Sequence, residues 1–126
     1  MQAKELIIIY KNQIHCISLP SLILIHKKGR KTFLLINNGE EIECSQSVNS
    51  LYKEINKGNF IFIDKGKVIN LDYINKYLQG HIQIKTLGIM LKVSRRNKTK
   101  VKNMLQTRQI IIDMAEEGDT NGLIKR

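Results

Sequence analysis

The stretch NFIFIDKGKVINLDYINKY, residues 59–77, sets the expected fold of this 126-residue chain. Apolar residues fill three short runs in or at the end of it, FIFI, VINL and YINKYL (which ends at Leu78), and the turn residues DKGK separate the first run from the second. Short runs rich in Ile, Val, Phe and Tyr, bounded by turn residues, are typical of β-strands. The stretch therefore predicts several short strands joined by tight turns.

The same pattern extends in both directions along the chain. The runs LIIIY, QIHCIS, LILIH, KTFLLI and EIEC precede the stretch, and HIQIK and IMLKV follow it. Asn38-Gly39 stands between two of these runs, and this dipeptide tolerates the positive φ angles that a type I′ hairpin turn requires. The sequence thus predicts a mainly β chain built from hairpins.

Two segments have helical rather than strand periodicity. Val48, Leu51, Tyr52 and Ile55 recur at helical spacing, which predicts one short helix between the two halves of the chain. A second helix is expected from Asn97 to about Gln106. We expect residues 1–106 to form one domain and residues 107–126 to be a helical extension or a partly disordered tail.

Composition and charge narrow the class of function. The formal net charge is +10 and the pI is about 9.8, which favours polyanionic partners, above all nucleic acid. The apolar runs are too short to span a membrane, and the N-terminus lacks a secretory signal, so we expect a cytoplasmic protein without membrane insertion. Cys16 and Cys44 each lie in an apolar alternation, which predicts buried free thiols.

Motifs that would indicate an enzyme are missing from the sequence. There is no G-x-S-x-G, Walker loop, G-x-G-x-x-G or C-x-x-C, and the three histidines lie on separate predicted strands. We therefore expect no catalytic residue, no metal site and no cofactor. A weaker alternative is a metal-dependent nuclease, whose candidate residues are Glu40, Glu41, Glu43, Asp64 and Lys65. The glutamates are more typical of a solvated strand edge.

Positive charge is concentrated in three clusters. The first cluster is HKKGRK, residues 26–31, at a predicted turn, and the second cluster is DKGK, residues 64–67, also at a turn. The third cluster is VSRRNKTKVKNML, residues 93–105, with five positive side chains and no negative one. A solvated helix face usually mixes both signs, so this bias favours a polyanionic partner.

Order and local sequence together resemble the LytTR family of bacterial DNA-binding domains. The resemblance covers roughly residues 4–106, and its most specific parts are Val68-Ile69-Asn70-Leu71, Ile74 and Val93-Ser94-Arg95-Arg96. It implies a mainly β fold of small antiparallel sheets, with one short helix between the halves and a C-terminal helix. It further implies that loops, and no recognition helix, enter the major groove.

The resemblance also implies roles for the basic residues. Those expected to contact bases are Arg30, Lys31, Lys65, Arg95 and Arg96. Those expected to contact phosphates are Lys27, Lys28, Lys67, Lys98, Lys100 and Lys102. The chain departs from the family pattern at the second cluster, where Asp64 would repel phosphate unless it pairs with a neighbouring lysine.

The function expected from residues and resemblance together is sequence-specific binding of double-stranded DNA that regulates bacterial transcription. Family members are often fused to a receiver domain, for which these 126 residues have no room. A DNA-binding regulator of this kind could form weak or DNA-induced homodimers, and it could have a regulatory protein partner. The alternative is a basic module that binds RNA or protein without reading DNA sequence.

Overall fold

The computed structural model describes residues 5–55, 58–85 and 88–113, of which the last three are described by backbone alone. The chain divides into two compact units, residues 1–72 and residues 73–126. The strands of the first unit are Glu5–Tyr10 (β1), Gln13–Ser18 (β2), Leu22–Lys28 (β3), Lys31–Ile36 (β4), Glu41–Cys44 (β5), Phe60–Asp64 (β6) and Lys67–Asn70 (β7). Those of the second are Ile74–Leu78 (β8), His81–Ile84 (β9), Met90–Lys92 (β10) and Ile111–Asp113 (β11).

A five-stranded antiparallel sheet forms the centre of the first unit. Its order is β5-β4-β3-β7-β6, so the predicted hairpins β3–β4, β4–β5 and β6–β7 lie side by side. Asn70 at the end of β7 is fully buried, and its Nδ2 donates to the carbonyl of Leu22, 2.8 Å away, at the start of β3. Its Oδ1 accepts from Asn59 Nδ2 at 2.7 Å. The asparagine of the family-like stretch is therefore a structural link between strands.

The hairpin β1–β2 packs one face against this sheet. Leu6 and Ile8 of β1 and Ile17 of β2 alternate with exposed residues, and all three join the same core cluster as residues of β3 and β4. Burial of such side chains contributes about 1.5–3 kcal/mol each. The core of the unit thus lies between the hairpin and the larger sheet.

A short helix, Val48–Tyr52 (α1), closes the same core. Ser47 caps it, because its side-chain oxygen accepts a hydrogen bond from the backbone N–H of Ser50 at 3.0 Å. Val48 and Leu51 are buried against the core cluster. The predicted short helix between the halves is confirmed, and its N-cap is one of the serines that precede the apolar residues.

The second unit contains a four-stranded sheet and a helix, Lys98–Thr107 (α2). The order is β10-β9-β8-β11, antiparallel except that β11 runs parallel to β8. Val101 and Leu105 lie on one face of α2 and are fully buried. An α-helix has about 3.6 residues per turn, so positions i and i+4 lie on the same face, which explains why these two residues mark its inner face.

The predicted mainly β architecture and its C-terminal helix are confirmed, with two differences at the backbone level. Residues 107–126 were expected to be a helical extension or a partly disordered tail, whereas Ile111–Asp113 forms the strand β11. Residues 114–126 lie outside the described part. The Asn38-Gly39 turn is not type I′, because Gly39 has a positive φ of 91° and Asn38 does not. Instead, Gly39 N–H donates to the carbonyl of Ile36 at 2.9 Å in a longer loop.

The prediction of two buried thiols is half wrong. Cys44 is buried, and burial is the main cause that raises the pKa of its thiol. Cys16 is exposed, although it too lies in an apolar alternation. The reason is its strand: β2 belongs to a two-stranded hairpin whose outer face has no second layer among the described residues.

Candidate nucleic-acid interface

The first and second clusters lie together at one end of the five-stranded sheet. The β3–β4 turn carries the first cluster and the β6–β7 turn carries the second, and β3 pairs directly with β7. The backbone N–H of Lys27 donates to the carbonyl of Gly66 at 2.9 Å, which ties the two turns to each other. Two basic segments that are 33 or more residues apart in sequence thus form one surface.

The turn geometry of the first cluster is set by Gly29. It has a φ of +62° at the first position of a two-residue loop, while Lys28 and Lys31 pair across the hairpin. This is the position at which a type II′ turn requires glycine. The tight turn leaves Arg30 exposed at the tip of a rigid hairpin.

Three of the lysines in these turns have carboxylate partners. Lys28 Nζ lies 3.1 Å from Glu41 Oε1, and Lys31 Nζ lies 3.7 Å from Glu43 Oε2. Lys67 Nζ lies 3.1 Å from Asp64 Oδ2. Asp64 would repel phosphate unless it paired with a neighbouring lysine, and Lys67 is that partner. All three pairs are partly exposed, and such pairs contribute little to stability.

Glu41 is held by two positive or polar groups at once. His26 Nε2 lies 2.6 Å from its Oε2, while Lys28 approaches its other oxygen. Partial burial alone would raise the pKa of this carboxyl, but the hydrogen bonds with Lys28 and His26 outweigh it and lower the pKa below its ordinary value. Glu41 is consequently an ionised partner for Lys28 at neutral pH.

Glu43 is fixed in a similar way from the β1–β2 hairpin. The hydroxyl of Tyr10 donates to Glu43 Oε2 at 2.6 Å, and this hydrogen bond is the first cause that raises the pKa of Tyr10 above its ordinary value. The same oxygen faces Lys31. Two of the three glutamates of the nuclease alternative, Glu41 and Glu43, thus hold tyrosine, histidine and lysine side chains. The described residues contain no group of three or more side chains arranged to hold a metal ion.

Other basic residues at this end of the sheet have no such partner. Lys27, Arg30 and Lys65 are exposed, and no carboxylate among the described residues lies within 4 Å of their charged groups. An exposed guanidinium or ammonium group without a fixed counter-charge is available to bind phosphate or a base edge. The structure therefore separates this surface into paired and unpaired cations.

The third cluster lies wholly in the second unit. Val93 is buried and its N–H donates to the carbonyl of Gly80 at 2.9 Å, after which a 3₁₀ turn, Arg95–Asn97, leads into α2. Ser94 Oγ donates to Asn97 Oδ1 at 2.5 Å across this turn. The turn is thereby anchored on both sides, and it presents Arg95 and Arg96 to solvent.

The lysines of α2 differ in their surroundings. Lys100 is exposed, whereas Lys98 and Lys102 are half-buried. Lys102 Nζ lies 5.6 Å above the ring of Tyr77, and a side chain at Gly80 would meet Lys98 Nζ. No Asp or Glu occurs in the sequence between Asp72 and Asp113. The aliphatic parts of Lys98 and Lys102 are therefore packed against neighbouring residues.

Sequence reasoning missed the ion pairs of the first cluster. Glu41 and Glu43 were read as a solvated strand edge, and β5 is indeed the edge strand of its sheet. Their pairing with Lys28 and Lys31 follows from the register of β4 and β5, in which Phe33 lies opposite Glu43 and Leu35 opposite Glu41. Two acids that follow two lysines by thirteen and twelve residues, with predicted hairpins between them, could have indicated it.

Comparison with known proteins identifies the family. Residues 12–106 match the family model described as the LytTr DNA-binding domain. The chain belongs to the LytTR family. Its fold is similar to that of a LytTr DNA-binding domain from Bacillus cereus, with a TM-score of 0.72 and 12% sequence identity over 82% of this chain and 97% of the other. No curated protein sequence matches the chain.

Membership in the LytTR family supports DNA binding and the regulation of transcription as the function of the domain. LytTR is a family of DNA-binding domains and not of enzymes. In the part of the chain that the structure describes, no helix has the length and hydrophobicity of a membrane span.

Proposed function

We propose that this LytTR domain reads the base sequence of duplex DNA through loops in the major groove, and that it thereby regulates transcription in the bacterial cytoplasm. The observation that carries the proposal is a group of four exposed cations at turns of a LytTR fold, with no carboxylate among the described residues within 4 Å of their charged groups. They are Arg30, Lys65, Arg95 and Arg96.

The four side chains suit base contacts for a chemical reason. Arg30 stands on a tight turn, and Arg96 on a turn held by hydrogen bonds at both ends, so each guanidinium starts from a fixed backbone. Arginine can donate two parallel hydrogen bonds to O6 and N7 of guanine in the major groove. Lys65, at the β6–β7 turn, could donate a hydrogen bond to one acceptor on a base edge.

The remaining basic residues would position the domain on the DNA backbone. Lys27 and Lys100 are exposed, and we propose phosphate contacts for both, together with Lys98 and Lys102. Neutralised phosphates release counterions, which supplies affinity without sequence preference. Lys28, Lys31 and Lys67 would have to leave or share a carboxylate to make the same contact, so we assign them a smaller part.

Control and assembly form part of the proposal. Two domains on paired sites would double the number of base pairs that are read, which favours weak or DNA-induced homodimerisation. A regulatory protein partner would supply a further means of control. Both remain proposals for this chain.

Selection of bound duplexes from a random pool by the purified protein, at near-physiological salt, tests the proposal. We expect a compact enriched motif. The affinity of the protein for a duplex with this motif should fall steeply as salt rises, and excess scrambled duplex should not displace that duplex. Binding that enriches no motif, fades with salt and yields to competitor RNA would instead support the basic RNA- or protein-binding module. Added Mg²⁺ in the same assay, with plasmid as substrate, reports any nuclease activity.

A further inference from the structure

The outer face of the β1–β2 hairpin is apolar and exposed. Leu6 and Ile8 face the core, whereas Ile7, Ile9 and Ile14 are 61%, 65% and 68% exposed. Ile9 pairs with Ile14, and Ile7 pairs with the exposed Cys16, so these four side chains lie on one face. A contiguous apolar face on a small basic domain marks an interaction surface.

The outer edge of β1 has no paired strand among the described residues. Lys11 and Asn12 form a two-residue turn with φ angles of 50° and 64°, the signature of a type I′ hairpin. Tyr10 and Gln13 then form the hydrogen-bonded pair that closes the turn. Since hydrogen-bonded pairs alternate along an antiparallel ladder, the backbone groups of Ile8 and Leu6 also form hydrogen bonds with β2. The N–H and C=O groups of Ile7 and Ile9 point away from β2.

Features that usually protect a strand edge are missing here. β1 pairs with β2 in unbroken register, contains no proline and has uncharged residues from Leu6 to Tyr10. Among the described residues no hydrogen bond reaches the outward groups of Ile7 or Ile9. The edge borders an open cleft whose other wall is formed by Cys44, Ser45 and Gln46. Such an edge is a template for another strand.

The charges at the two ends of β1 fit a second copy of the same strand. Glu5 lies at one end and Lys11 at the other, and both are exposed. In an antiparallel pair with a two-fold axis at Ile8, Glu5 lies opposite Lys11 of the partner subunit. The same register places Ile7 opposite Ile9 of the partner subunit, and it uses the outward hydrogen-bonding groups of both strands.

We propose that β1 pairs antiparallel with β1 of a second copy about a two-fold axis at Ile8, which joins two hairpins into one four-stranded sheet. The exposed isoleucines of both copies then form a continuous apolar strip. The interface is self-complementary, as a two-fold dimer requires. It is small, so we expect association at high protein concentration. The dimer concerns the free protein and does not depend on DNA binding.

Sedimentation equilibrium of the free chain over a wide concentration range tests the proposal. We expect a monomer–dimer equilibrium that Ile9→Lys abolishes, because the lysine places a charge on each side of the pair. Ile9 is exposed, so circular dichroism and thermal unfolding should show an intact fold. Met90→Lys, at an exposed apolar residue of β10, is the matched control and should leave the dimer unchanged.

A charge exchange tests the register itself. Glu5→Lys or Lys11→Glu alone should weaken the dimer roughly three- to ten-fold, because each creates two like-charge contacts, and the double variant should restore it. A monomer at every concentration, or larger open assemblies, would overturn the proposal. Failure of the double variant to recover the dimer would overturn the register. DNA binding by Ile9→Lys at a single site, measured separately, reports the proposed function independently.

Discussion

The two basic regions of the molecule differ in how their charge is balanced. At the end of the five-stranded sheet, Lys28, Lys31 and Lys67 each face a carboxylate at 3.1–3.7 Å. From residue 93 to residue 105, five cations occur in a stretch of sequence without a single acid. The first region is a mixed-sign surface in which some cations are paired with acids, and the second has no acid within its own stretch of sequence.

This difference has a consequence for recognition. A cation that already has a carboxylate partner must give up that interaction before it binds phosphate, so its net contribution to DNA affinity is reduced. A cation with only water and counterions around it gains more from the same contact. We therefore expect the second unit to supply most of the salt-dependent affinity, and the sheet end to supply a few selective contacts from Arg30 and Lys65.

The largest expected effect comes from the 3₁₀ turn before α2. Arg96→Ala should cost about 1–3 kcal/mol on the selected site and relax the preference at one base pair, because a forked contact to guanine is lost. Fluorescence anisotropy on the selected duplex and on single-base variants measures both quantities. Equal losses on selected and scrambled duplexes would contradict the base-reading role. Lys53→Ala, at an exposed residue after α1, is the control.

A pair of lysine variants tests the difference between the regions directly. Lys100→Ala should weaken binding to all duplexes alike and lower the slope of log affinity against log salt by about 0.9, because one phosphate contact is lost. Lys31→Ala should lower that slope by less, since Lys31 faces Glu43. Salt titrations of both variants on selected and scrambled duplexes measure these slopes. Equal slope changes would show that the ion pair does not restrain Lys31.

Removing an acid from the sheet end should have a smaller effect of opposite sign. Glu43→Gln frees Lys31, so we expect affinity for any duplex to rise roughly two- to five-fold, the size of one exposed ion pair. Glu54→Gln makes the same change of net charge at an exposed residue beyond α1. Identical gains from both variants would assign the effect to net charge and not to the Lys31 pair.

The smallest expected effect is the pH dependence of the Glu41 contact. Its pKa is lowered in the folded state, so its contribution to stability is complete above the unfolded pKa of about 4.3 and is lost as pH falls through the folded pKa. His26 and Lys28 face this carboxylate. Urea unfolding of the wild type and Glu41→Gln should show a difference that shrinks below pH 4.3. A difference independent of pH would contradict the assignment.

Strand positions could be read from the sequence because period-two alternation is a local property. QIHCIS, KTFLLI and EIEC coincide with β2, β4 and β5 in the structure. Turn type was less predictable. Asn38-Gly39 carries the composition of a type I′ turn, but the positive φ angles of a two-residue turn occur at Lys11-Asn12. Pairing register decides which residues stand in the turn, and register depends on contacts distant in sequence.

Dependence on contacts distant in sequence also explains why the exposure of Cys16 and the strand β11 could not be predicted. An apolar alternation does not reveal whether one face of a strand or both faces are covered, so Cys16 and Cys44 look alike in sequence and differ in exposure. Ile111–Asp113 continues an apolar pattern compatible with a helix, yet it pairs parallel to β8, whose partner residues lie 35 positions earlier. The exposure of Cys16 depends on layer packing and β11 depends on non-local pairing, and local periodicity reveals neither.

By itself the sequence determined the mainly β class, both helices and the positions of the three basic clusters, because these depend on composition and local periodicity. It also carried the LytTR resemblance, which rests on the order of short motifs matched to that family. Only the tertiary structure decided that the first two clusters share one sheet end and that Lys28, Lys31 and Lys67 have carboxylate partners. It also decided that Ile7, Ile9 and Ile14 form an exposed face. These facts follow from strand register and layer packing, which bring together residues that the sequence keeps apart.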